Sequence, residues 1–128
     1  MKKLISTFLF SFLLVGMISA QEWNISSDAF NALDTIQEVI TVDGLTINAS
    51  AEKAVIIDGN AKTLGDLAFT HRLKLGGAGT YTDSVPSARV LSFNVEGNSK
   101  ISIAAMSSSS GEDRVLIAVN TAGDTLAQ

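Results

Sequence analysis

The chain has 128 residues, with nine Lys and Arg, 13 Asp and Glu, one His, one Pro and no Cys, for a formal charge of −4. That length holds one domain. The acidic balance excludes a general nucleic-acid binder, which needs a basic footprint. The absence of Cys excludes disulfides, thiolate metal sites, a cysteine nucleophile and an N-terminal lipid carried on Cys.

Residues 1–20 have the layout of a secretory signal peptide. Lys2 and Lys3 give a positive start, an apolar run over residues 4–17 follows, and Ile18-Ser19-Ala20 offers a small-residue cleavage site. The run is shorter than the roughly 20 residues a membrane span needs, and no later run is apolar enough to span a bilayer. The expected product is exported, extracellular or periplasmic, with no membrane association once cleaved. It begins at Gln21, has 108 residues and carries a formal charge of −6.

In the product, residues 21–25 place Trp23 and Ile25 on one face if they are extended. Ser26-Ser27-Asp28 offers a helix N-cap before Ala29, Phe30 and Leu33, which suits either a single helical turn or an irregular loop. From Thr35 onward the text is β. Val39, Ile40 and Val42 lead into the turn dipeptide Asp43-Gly44, and residues 45–49 alternate apolar and polar. Residues 54–57 are apolar and rich in β-branched side chains, and end at Asp58-Gly59-Asn60, which reads as a turn.

Residues 69–75 put Phe69, His71, Leu73 and Leu75 on one face and Thr70, Arg72 and Lys74 on the other, until Gly76-Gly77-Ala78-Gly79 stops the strand. Pro86 falls in a loop. Leu91, Phe93 and Val95 mark another strand, then Ile101, Ile103 and Ala105, then Val115, Ile117 and Val119. A flexible loop is expected over residues 107–111. Short strands with turn chemistry between them predict an antiparallel β-sandwich. The turn over residues 120–124 sends the chain into a strand with little room to finish. A hairpin demands a partner strand, so the expectation is a sandwich lacking its last strand or strands.

The chemistry-bearing residues exclude more than they assign. The lone His71 falls on an apolar face, no G-x-S-x-G elbow surrounds a serine, and a zinc site lacks ligands. The Asp residues sit mostly in turns, where they bond their own backbone. Loop carboxylates and carbonyls are also the donors of a structural calcium, but no EF-hand spacing is present. The glycine run lacks the Lys-Ser/Thr of a phosphate loop and reads as a tight strand exit. The basic residues are the candidate ligand-binding set: Arg72 and Lys74 on one polar strand face, with Arg89 and Arg114 each opening a strand. The bland reading is a solvated outer face. The functional reading is a cationic patch for acidic sugars, since arginine grips carboxylates with a bidentate fork. Trp23 and Tyr81 are the only aromatics available to stack on a sugar, and Trp23 also suits the core.

Val42-Asp43-Gly44-Leu45-Thr46-Ile47, the run Phe69-Thr70-His71-Arg72-Leu73-Lys74-Leu75-Gly76-Gly77, Arg89-Val90-Leu91-Ser92-Phe93-Asn94-Val95, Ile101-Ser102-Ile103 and Arg114-Val115-Leu116, with Trp23 near the start of the product, make the chain similar to a known type of module. It resembles the carbohydrate-binding-type β-sandwich appended to secreted bacterial pectate lyases and related polysaccharide-degrading enzymes. The resemblance runs from Trp23 to the C-terminus, and Arg-Leu-Lys-Leu-Gly-Gly is its most distinctive part. It implies an all-β, jelly-roll-like fold with further strands after residue 128, and a catalytic domain elsewhere. The expectation is a non-catalytic module without a cofactor that binds cell-wall polysaccharide, polygalacturonate being the acidic example. The alternatives are a structural or interaction module with no ligand of its own, or the leading fragment of a pectate lyase.

Overall fold

The computed structural model describes residues 20–83, 85–107 and 114–128. The signal segment, Ala20 apart, and most of the expected loop over residues 107–111 lie outside the described residues. The fold is all-β and antiparallel, with one helical turn, α1 (Asp28–Asn31). One sheet has the order β1 (Thr35–Ile36), β4 (Val55–Leu64), β5 (Leu67–Lys74). A second has the order β2 (Ile40–Val42), β3 (Leu45–Asn48), β8 (Val90–Ser92). Two strand pairs complete the described part, β6 (Thr80–Thr82) with β7 (Val85–Ala88), and β9 (Ala118–Val119) with β10 (Thr125–Ala127).

The core is built where the alternation is cleanest. Leu45 and Ile47 point inward from β3, and Val55 and Ile57 from β4, with Ile36, Ala49 and Phe30 between them. Ile47 and Val55 are wholly buried. Each such side chain stabilises the fold by about 1.5–3 kcal/mol relative to exposure. Trp23, Leu73, Leu75 and Phe93 close the margin. Trp23 tilts against Phe93 at 4.9 Å between ring centroids, and its Nε1–H donates to the Asp43 carbonyl at 2.9 Å. That bond ties residues 20–25, which form no strand, to the β2–β3 turn.

Asp43-Gly44 forms the predicted hairpin turn, with Val42 opposite Leu45 and positive φ at both turn residues (49° and 81°). This is the geometry of a type I′ turn, whose twist matches that of the strands it joins. Three expectations need correction. Asp58-Gly59-Asn60 is no turn: β4 runs through it, with a register shift between Gly59 and Lys62, and the chain reverses at Gly65-Asp66. A bulge takes up residues that would weaken a regular strand. Pro86 lies within β7, where it faces only one partner strand and its missing N–H is tolerated. Ile101, Ile103 and Ala105 form no strand, and of the stretch from Val115 only Ala118–Val119 is paired. The last segment, Thr125–Ala127, pairs with β9.

Candidate functional site

The strand β5 delivers the first two predicted residues. Its inward face carries Leu73 to the core, so Arg72 and Lys74 emerge on the outer face by alternation. Arg72 lies opposite Asp58 across the ladder. Its Nε–H donates to Asp58 Oδ1 at 2.6 Å, and Nη2 donates to Oδ2 at 3.1 Å. With the Asn60 amide turned to its better orientation, Asn60 Oδ1 accepts from Nη1 at 2.7 Å. The fork of Arg72 is thus filled from within the sheet. Asp58 meets Arg72 in regular register across the ladder, and Asn60 reaches it from the irregular stretch that follows Gly59. Lys74 is exposed and, among the described residues, has no acidic partner.

The hydrogen bond from the Arg72 guanidinium holds the Asp58 carboxyl below its usual range, more than offsetting burial, which pushes the other way, and the nearby charges of Arg72, Lys74 and His71 add smaller effects in the lowering direction. A depressed pKa in the folded state means that the stabilisation is present above the ordinary carboxylate range and is lost as pH falls through the lowered value. The urea midpoint is therefore expected to fall on acidification from about pH 6 to about pH 3. Asp58→Asn should flatten that part of the profile. A variant that follows the wild-type curve throughout would assign the acid sensitivity to other carboxylates.

Arg89 occupies a different setting. It joins β7 to β8 with φ of 57°, an uncommon conformation for a side-chain-bearing residue. Its N–H donates to the Asn48 carbonyl at 2.6 Å, which ties this junction to the end of β3. The half-buried side chain lies against the glycine run. A Cβ on Gly76 would stand 3.6 Å from Nη2, and one on Gly77 would stand 3.0 Å from Nη1. Nη1 donates to the Ala78 carbonyl at 3.2 Å, whereas Nε is buried without a partner. The glycine run is a strand exit, as read, but it is also the wall of an arginine seat. The signal for this was the pairing of an unusual glycine density with a later arginine, which no strand or turn rule connects.

Arg114 is exposed in the segment before β9. The structure therefore brings Arg72 and Lys74 together on one face, sets Arg89 against the loop that follows them, and leaves Arg114 on a separate segment. Of the two aromatics, Trp23 is committed to Phe93 and the core margin, while Tyr81 on β6 is 59% exposed. His71 is half-buried, and its Nδ1 shares a hydrogen bond with Thr70 Oγ1 at 2.9 Å. Among the described residues no group of three or more His, Asp or Glu comes together as a metal site. A depression of about 180 Å³ lined by Leu33, Thr35, Ile36, Gln37, Glu38 and Ile40 has no basic side chain in its wall. No helix among the described residues is long and apolar enough to cross a membrane. No protein-family model, curated protein or solved structure matches the chain.

Proposed function

We propose that the protein is an exported, non-catalytic module with a jelly-roll-like β-sandwich fold that binds acidic cell-wall polysaccharide of the pectin type. One observation carries this reading: cationic groups gather at the end of β5 and the loop after it, where Lys74 is free of any acidic partner among the described residues and Gly76, two residues on, borders Arg89. An exposed strand face suits a polymer chain better than a small molecule, which is normally enclosed in a concave pocket. Tyr81 adds an exposed ring on β6, which follows the same loop. The catalytic domain of a polysaccharide lyase would be a separate unit outside these residues.

The test is affinity electrophoresis through gels containing polygalacturonate, xylan or no polymer. Retardation by polygalacturonate alone, relieved by added salt as ion pairing requires, is the expected result. Equal mobility in all three gels, from a sample whose circular dichroism shows β structure, would reject it.

A second reading, an interaction module without a ligand of its own, draws on the apolar side chains at the surface. Ile103 is 60%, Met106 64% and Val115 66% exposed, and exposed apolar side chains mark contact surfaces where they form one patch. That reading predicts association in sedimentation experiments and no retardation by any polymer.

A further inference from the structure

We propose that Arg89, seated against the loop of residues 76–79, is the carboxylate-binding group of the module. The identity of its ligand as a uronate rests on the acidic-polysaccharide reading; the existence of an anion seat does not. A guanidinium has five N–H donors and no acceptor. Among the described residues Arg89 donates to the Ala78 carbonyl through Nη1, while Nε is buried beyond the reach of a ligand, so an incoming carboxylate would be held by the remaining Nη hydrogens. The ion pair among the described residues is Arg72 with Asp58, and no carboxylate of those residues pairs with Arg89. A half-buried cation without a counter-ion is stabilised by an anion that accepts from its Nη groups.

The glycine loop also lies close to the group. A Cβ at Gly77 would stand 3.0 Å from Nη1, tighter than ordinary contact, whereas one at Gly76 would only touch Nη2 at 3.6 Å; both positions have positive φ (72° and 129°), which disfavours any residue that would bring one. Arg72 is the contrasting case in the same chain. Its fork already holds Asp58 Oδ1 and Oδ2, so a second carboxylate would have to displace the first. Of these two arginines, Arg72 is paired with a carboxylate and Arg89, among the described residues, is not. Lys74, next to the loop, adds an exposed positive charge that draws an acidic chain towards it.

The chain has three arginines, so its Nε–H spectrum is simple enough to follow each one. Titrating the protein with sodium acetate and with digalacturonate should move the Arg89 Nε–H signal saturably while that of Arg72 stays in place. An Arg89 signal that does not move with either anion, or that moves no more than that of the exposed Arg114, overturns the proposal. In polygalacturonate gels, Arg89→Lys keeps the charge but gives up the planar fork. It should weaken retardation by about tenfold in apparent affinity, the worth of one charge-assisted bond. Methyl-esterified pectin, which lacks the carboxylates, should retard neither protein. Full retardation of a folded Arg89→Lys variant refutes the seat and leaves the polysaccharide reading standing. A wild-type protein that no polymer retards refutes the polysaccharide reading, and the acetate titration then decides the anion seat alone. The titrations need only the wild-type protein, so they decide the matter even where the variant does not fold.

Discussion

Replacing Phe30 with alanine is expected to cost about 3–5 kcal/mol, the range for losing a large aromatic from a core. That is a large share of the roughly 5–15 kcal/mol that holds a small domain folded. Phe30 is 2% exposed and lies in the same cluster as Ile36, Leu45, Ile47, Val55 and Ile57. It sits on α1, a helix of four residues whose N-cap, Ser27, makes no side-chain capping bond. One turn has no stability of its own, because nucleating a helix costs more than its first bonds return. The turn persists because Phe30 anchors it and because its flanks are bonded to the rest of the fold. Asn31 Nδ2–H donates to the Ser26 carbonyl at 3.0 Å, while Ser26 Oγ accepts from the N–H groups of Thr70 and His71 at 2.9 and 3.2 Å. Removing the ring leaves a cavity over β3 and β4 and unfastens the turn that covers them. The chain has a single Trp, at position 23 against this core, so its fluorescence in a urea titration reports the change directly. A loss below about 1 kcal/mol would mean that the core closes over the gap and that α1 is not an essential part of it.

The same core shows what the sequence states clearly. Leu45 and Ile47 alternate with polar residues, Asp43-Gly44 precedes them, and both features are local, so they survive translation into β3 and its turn. Residues 58–60 mislead because their composition suits a turn equally well. What decides between turn and strand is Arg72, 14 residues away, which holds Asp58 across the ladder. Ile101, Ile103, Val115 and Ile117 fail in the opposite direction. Their spacing is that of half-buried strands, but alternation fixes only which side chains share a face and does not supply a neighbouring strand to pair with. Of the candidate site, the polar face of β5 was legible because it follows from alternation alone. The different situations of Arg72 and Arg89 were not, because each depends on acceptors from other elements: Asp58 and Asn60 in one case, the 76–79 loop in the other.

Gly79→Ala is expected to be the most damaging single-methyl change in the loop, at about 1–3 kcal/mol, the usual cost of forcing extra volume into a packed site. A Cβ there would stand 2.7 Å from the Ala88 carbonyl oxygen. The obstacle is backbone, so no side-chain rotation relieves it. Ala88 is itself buried at the end of β7, where it lies opposite Thr80 of β6, the residue next to Gly79. The added methyl therefore pushes on the ladder it starts, as well as on the strand leading to Arg89. Gly59→Ala is the control, since a Cβ at that position meets nothing within 4 Å and its φ is not positive. It should change stability by less than about 1 kcal/mol, as a glycine replacement in an open and permitted conformation does. Thermal unfolding of both variants separates two explanations of the glycine run. Equal melting temperatures would mean that the loop is merely a flexible exit from β5. A drop confined to Gly79→Ala, with a disturbed Arg89 Nε–H signal in the folded protein, would mean that close backbone contact between residues 79 and 88 holds the arginine where it is. The contact distance favours the second outcome, because 2.7 Å is closer than Cβ atoms approach any neighbour without something giving way.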